Sequence, residues 1–167
     1  MAKTEKNLED AFAGESQASR RYQYFADKAE SEGHPQIARL FRAAVAAETV
    51  HARNHLTVLG GINSTAENLK EAMSGEEYEY TKMYPVFIKE AKAEGNTKAE
   101  TSFTYANAVE KIHHDLYQKA LETLEADKEP KAEPYYVCSV CGNTVAGEAP
   151  ERCPICGAPR SKFFKVE

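Results

Sequence analysis

The chain has 167 residues, of which 42% are hydrophobic and 28% charged, with a net charge of −5 and four cysteines. That length suits one medium domain plus a small module, and the negative balance argues against a nucleic-acid partner. No stretch approaches the roughly 18 apolar residues of a membrane-spanning helix. The polar start Met1-Ala2-Lys3-Thr4-Glu5-Lys6 has no apolar signal region, so a cytoplasmic location is expected.

Residues 1–127 read as helix almost throughout. Breaks are expected at Gly33-His34-Pro35, Gly60-Gly61, Gly75 and Gly95-Asn96, because glycine ends helices cheaply and proline starts them well. The pattern predicts four main helices, over 4–32, 36–59, 76–94 and 97–127. Ser64 and Glu67 have the spacing of a capping box that opens a short connecting helix. The connection over 60–75 looks long enough for helices to exchange between protomers. Pro85 falls inside the third helix, where it removes a backbone bond and should kink the helix.

Composition then shifts. Residues 128–134, Lys-Glu-Pro-Lys-Ala-Glu-Pro, read as a linker, and 135–167 hold all the cysteines. So short a module cannot build a core unaided, and a metal staple is expected. The fold class that follows is mainly α: a helical bundle over 1–127, a linker over 128–134 and a four-cysteine metal domain over 135–167.

Each main helix has an inward stripe at three-four spacing, and each stripe carries ionisable residues. Glu15 lies on the first, Glu48 and His51 on the second, Glu76 and Glu79 on the third, Glu110 and His113 on the fourth. Buried unpaired carboxylates cost several kcal/mol each or take up protons, so bound cations are the expected remedy. Glu48-x-x-His51 and Glu110-x-x-His113 each put a carboxylate and an imidazole one turn apart on one face. With Glu15 and Glu76 they form the ligand set of a carboxylate di-metal site in a ferritin-like four-helix bundle. Mixed oxygen and imidazole donors suit iron or manganese. The five glutamates carry −5, against +4 for two ferrous and +6 for two ferric ions, so either state lies near balance. His55 shares the second stripe a turn further on and reads as core or support. His114 points about 100° from His113, and His34 lies in a turn. Tyr22 reads equally as core packing or as a hydrogen-bond partner of a ligand carboxylate.

Cys138-x-x-Cys141-Gly142 and Cys153-x-x-Cys156-Gly157 form two metal knuckles. Four thiolates give a tetrahedral site for zinc or a single iron. Beside a di-iron site that must be re-reduced, a one-electron iron centre fits and zinc does not.

Glu48-x-x-His51, Gly75-Glu76-Glu77-Tyr78-Glu79, Met83-Tyr84-Pro85, Glu110-x-x-His113 and Cys153-Pro154-Ile155-Cys156-Gly157 together resemble the rubrerythrin family along nearly the whole chain. The tail is similar to rubredoxin, with a shorter loop between the knuckles. The resemblance implies two irons held by Glu15, Glu48, His51, Glu76, Glu79, Glu110 and His113, with Glu48 and Glu110 bridging. It implies a third iron on Cys138, Cys141, Cys153 and Cys156. Glu79 and His51 would alternate as ligands of one iron, the anion suiting the ferric ion and the neutral imidazole the ferrous. The implied reaction is peroxidase chemistry: reduction of hydrogen peroxide to water in oxidative-stress defence, with Glu79 a candidate proton source. The implied electron donor is an NAD(P)H-dependent flavoprotein reductase or a rubredoxin.

His113 lies about 14 residues before the end of the fourth helix, roughly 20 Å from the linker. A head-to-tail homodimer would shorten the electron path, and the resemblance implies one. Two other readings compete: a ferroxidase whose tail holds structural zinc, and a non-catalytic helical interaction protein with a zinc ribbon.

Overall fold

A computed structural model describes residues 3–126, 128 and 132–166. Residues 127 and 129–131 of the bundle end and linker lie outside the described residues. The helices are α1 (Lys3–Ser31), α2 (Pro35–Val58), α3 (Thr65–Tyr78), α4 (Tyr84–Ala93) and α5 (Thr97–Glu125). The strands are β1 (Tyr135–Cys138), β2 (Thr144–Ala146) and β3 (Phe163–Val166). No described helix is long and apolar enough to cross a membrane. The chain divides into two compact units, Met1–Asn63 and Ser64–Glu167.

The first unit is a helical hairpin. Gly33, at φ 80°, ends α1 where an L side chain would be strained. The backbone N–H groups of Gly33 and His34 donate to Glu30 and Ala29, which closes the last turn. Pro35 then opens α2 with its φ already set. The two helices bury the small residues Ala26, Ala29, Ala38 and Ala52, which lets their backbones approach closely. Tyr22, Phe25 and Phe41 fill the wider part of the contact, with the Phe25 and Phe41 rings 5.6 Å apart. The Tyr22 ring lies against both Phe25 and Phe41.

The second unit packs α3 and α4 along α5. The Ser64 capping box forms as expected: its hydroxyl accepts from the Glu67 backbone N–H, and the Glu67 carboxylate accepts from that of Ser64. The helix it opens is longer than the sequence suggests. Gly75 lies inside α3 rather than at a break, so the third long helical element begins at Thr65 and not near 76. An interior glycine costs about 1 kcal/mol, which the surrounding helix absorbs. The connection between the hairpin and α3 is thus residues 59–64, much shorter than 60–75. At Pro85 the helix widens into a π-helical turn over Glu79–Met83, and the Tyr84 N–H donates to the Glu79 carbonyl five residues back. The proline's missing N–H is accommodated by this wider turn. Asn96 caps α5 by accepting from the Ala99 N–H, and Tyr84, Phe87 and Phe103 cluster between α4 and α5.

The tail of this unit is a three-stranded antiparallel sheet in the order β2-β1-β3, with Tyr136 opposite Val145 and Lys165. Its largest fully buried side chains are Asn143 and Cys138. So small a sheet buries little apolar surface, and the cysteine cluster occupies the place of a core.

Candidate metal centres

Helical spacing puts the carboxylate and the imidazole of each Glu-x-x-His unit on one face, and the structure pairs them. His51 Nδ1 lies 2.8 Å from Glu48 Oε2, and His113 Nδ1 lies 2.9 Å from Glu110 Oε2. Both units thus turn the same ring nitrogen toward the carboxylates. Each gathers one further glutamate from a neighbouring helix: Glu15, Glu48 and His51 form a triad in the first unit, and Glu76, Glu110 and His113 form one in the second. Within each triad the ligand atoms lie inside 4.8 Å of one another. Two carboxylates and one imidazole per triad are donors that fit iron or manganese.

The second triad has the electrostatics of a site built for a cation. Burial, and then the Glu110 carboxylate, push the Glu76 carboxyl up to about 7. Burial also raises the Glu79 carboxyl, with Glu110 adding to it. Glu79 is not one of the three clustered ligands but stands near enough to feel Glu110 and His113. The hydrogen bond to Glu110 raises the His113 imidazole. A bound cation would act against these shifts by favouring the charged carboxylates.

Two tyrosines border this triad. Burial raises the phenol of Tyr84, and Glu110, Glu79 and Glu76 raise it further; Tyr117 responds likewise to burial, Glu76 and Glu110. Sequence reading gave Tyr84 no role. His55 and His114 belong to neither triad. His114 packs edge-on against Tyr80 and reaches Asp115 at 3.3 Å.

In the tail, Cys138, Cys141, Cys153 and Cys156 converge, all with free thiols. The Cys138 and Cys156 sulfurs are 3.7 Å apart, and those of Cys141 and Cys153 are 3.5 Å apart. A tetrahedron with metal–sulfur bonds of about 2.3 Å has edges of about 3.8 Å, so the sulfurs already stand at coordination distance. Gly142, at φ 83°, turns the chain sharply after Cys141. Backbone N–H groups then face the sulfurs: Asn143 to Cys141, Ile155 and Cys156 to Cys153, Ala158 to Cys156. Burial pushes the Cys153 thiol up, but these hydrogen bonds outweigh it and bring it down to about 7. Burial raises the Cys141 and Cys156 thiols.

The tail also corrects the electron-path argument. Thr144, on β2, places its hydroxyl 3.0 Å from His113 Nε2 on α5. The cysteine module therefore folds back along α5 to the second triad of its own chain, rather than standing about 20 Å from it as the helix length alone suggests.

The family model for rubrerythrin matches residues 6–121, and that for the rubredoxin-like domain of rubrerythrin matches residues 136–164. The chain belongs to the rubrerythrin family. It is 37% identical to rubrerythrin-2 of Clostridium acetobutylicum, over 97% of this chain and 96% of that one. It is 36% identical to nigerythrin of Nitratidesulfovibrio vulgaris, over 98% and 86%. The solved structure of nigerythrin in its fully reduced, all-ferrous state matches with a TM-score of 0.59 at 35% identity, covering 99% of this chain and 88% of that one. The two kinds of metal centre are accordingly the family's: a carboxylate-histidine di-iron site and a rubredoxin-like single-iron site. The protein is an oxidoreductase of that family.

Proposed function

We propose that this protein is a peroxidase that reduces hydrogen peroxide to water in oxidative-stress defence, with electrons delivered through the four-cysteine iron. The observation that carries this reading is the presence in one chain of two Glu-x-x-His triads and a thiolate cluster at coordination distance. A carboxylate-histidine site alone would serve many purposes. Coupled to a one-electron thiolate centre, it is equipped to be re-reduced after each turnover.

In this reading Glu15, Glu48 and His51 with Glu76, Glu79, Glu110 and His113 would hold the di-iron pair, and the family resemblance implies that Glu48 and Glu110 would be the shared carboxylates. The pair, when bound, supplies two electrons and a template for both peroxide oxygens. The residues supply the rest. Glu79 would supply an anionic ligand suited to a ferric ion and His51 a neutral one suited to a ferrous ion, as the family resemblance implies. Burial and Glu110 keep the Glu79 carboxyl protonated to higher pH than usual, which suits it to pass a proton to a leaving oxygen. The phenol of Tyr84 stays protonated beside the same carboxylates and offers a second donor.

Residues 1–127 serve as the catalytic region, 128–134 as linker and 135–167 as the electron-delivery module. The external donor is an NAD(P)H-dependent flavoprotein reductase or a rubredoxin, and the setting is the cytoplasm, where thiolates stay reduced. We also propose a head-to-tail homodimer. Its support is the family pattern together with exposed apolar residues of the hairpin, such as Ile37 and Leu40; an active monomer in sedimentation would overturn it.

The test is anaerobic reduction followed by separate exposure to peroxide and oxygen, with metal analysis on the same sample. Faster reoxidation by peroxide is expected, from a protein that is red when oxidised. The reverse order identifies a ferroxidase. A colourless protein without iron identifies a structural zinc module.

A further inference from the structure

Thr144 and His113 are 31 residues apart, on β2 and α5, and their side chains meet at 3.0 Å. A hydroxyl has one proton. Thr144 directs its proton to the Gly142 carbonyl, 3.1 Å away. With its proton so directed, Thr144 accepts from His113, and Nε2 is then the nitrogen that carries the hydrogen. That leaves Nδ1, the nitrogen facing Glu110 and Glu76, as the ring's ligand atom.

The junction around this contact is built rather than incidental. Val109, on α5 one turn before His113, is 2% exposed. It stands 3.8 Å from where a Cβ would be at Gly142. Asn143, between Gly142 and Thr144, is buried to 1%. Gly142 and Asn143 belong to the first knuckle, and Asn143 gives its N–H to the Cys141 sulfur. The residues that shape the thiolate site and the residue that holds His113 are thus consecutive.

We propose that Thr144 is a positioning residue for the di-iron site: by fixing the tautomer and orientation of His113, the cysteine module prepares a ligand of the carboxylate-histidine centre of its own chain. This rests on reading His113 as a metal ligand. It adds a structural duty to a module otherwise read as an electron carrier. Partners that orient a ligating histidine are commonly worth 10- to 100-fold in metal affinity.

The test uses the full chain and three forms: wild type, Thr144→Val, which keeps the shape without the acceptor, and Thr144→Ser, which restores the hydroxyl. In zinc-loaded wild type, nitrogen NMR of His113 should show a protonated Nε2 and a metal-bound Nδ1. An unprotonated Nε2 overturns the proposal without recourse to any variant. Chelator competition should show metal affinity at the carboxylate-histidine site reduced about tenfold or more in Thr144→Val and restored in Thr144→Ser. The visible spectrum of the iron-loaded cysteine site reports that the module remains folded. Unchanged affinity and tautomer in Thr144→Val would overturn the inference alone. A wild type that binds no metal at the carboxylates would overturn the reading of His113 itself.

Discussion

The backbone N–H of Tyr84 donates to the carbonyl of Glu79, five residues earlier, rather than to a partner four residues earlier. On an unbroken α-helix, a residue five positions on lies about 140° round from the first. The wider turn over Glu79–Met83 takes up the extra residue and returns Tyr84 to the side occupied by Glu76 and Glu79. The electrostatics agree, since the Tyr84 phenol feels Glu110, Glu79 and Glu76 together.

Tyr84→Phe removes that hydroxyl and leaves the ring, which packs against Phe87 and Phe103. The variant is expected to fold and load metal normally. Its diferrous form should react with peroxide about tenfold more slowly, less than the roughly 100-fold or more of a sole proton donor, because Glu79 remains. Stopped-flow reoxidation compared with iron content makes the measurement; an unchanged rate assigns Tyr84 to packing alone.

Glu79→Gln keeps the size and removes the charge. The remaining triad, Glu76, Glu110 and His113, is complete without Glu79, so iron stoichiometry should hold. Loss of the anion that favours the ferric state, and of the proton source, should slow peroxide-driven oxidation on the order of 100-fold. Equal rates in variant and wild type would remove Glu79 from the mechanism.

Protons and metal compete at the second triad, so stability and affinity should respond to pH in opposite directions. In the metal-free protein Glu76 holds its proton up to about 7, against an ordinary value of 4.5. Between those values the folded state binds more protons than the unfolded one, and stability falls as pH rises. His113 acts in the same sense. Its imidazole is raised above the ordinary 6.5 by Glu110, a stabilisation fully present below that value and lost as pH rises through the folded one. The unfolding midpoint of metal-free protein should therefore be higher at about pH 5.5 than at about pH 8. Metal affinity should rise over the same interval. Glu76→Gln should flatten the stability profile, and a profile of the opposite slope would show that the triad's charges are neutralised some other way.

What could be read directly from the sequence was local. The Ser64–Glu67 box and both Glu-x-x-His pairs follow from three-residue spacing on a helix. The cysteine knuckles follow from two-residue gaps and a glycine. Gly75 was misleading because glycine also occurs inside helices, and nothing stands within 4 Å of where its Cβ would be to mark the position as special. The π turn was hidden because Pro85 announces a disturbance without saying which way the ladder adjusts. Thr144 could not be found at all: its partner is 31 residues away, and only the folding of the module onto α5 brings them together.

The division of labour between the two centres can be separated by one substitution. Cys153 is 2% exposed, and its thiol falls to about 7 under hydrogen bonds from the Ile155 and Cys156 amides. A serine there removes a quarter of the coordination sphere. Cys153→Ser should lose the red thiolate-iron chromophore while the carboxylate-histidine residues remain in place. Chemically reduced variant should still consume about one equivalent of peroxide per di-iron site, because that single turnover draws on electrons already stored there. Steady turnover with an NAD(P)H-linked donor should fall to background, because nothing then refills the site. Persistent steady turnover would mean that electrons reach the triads by a route that bypasses the cysteine module.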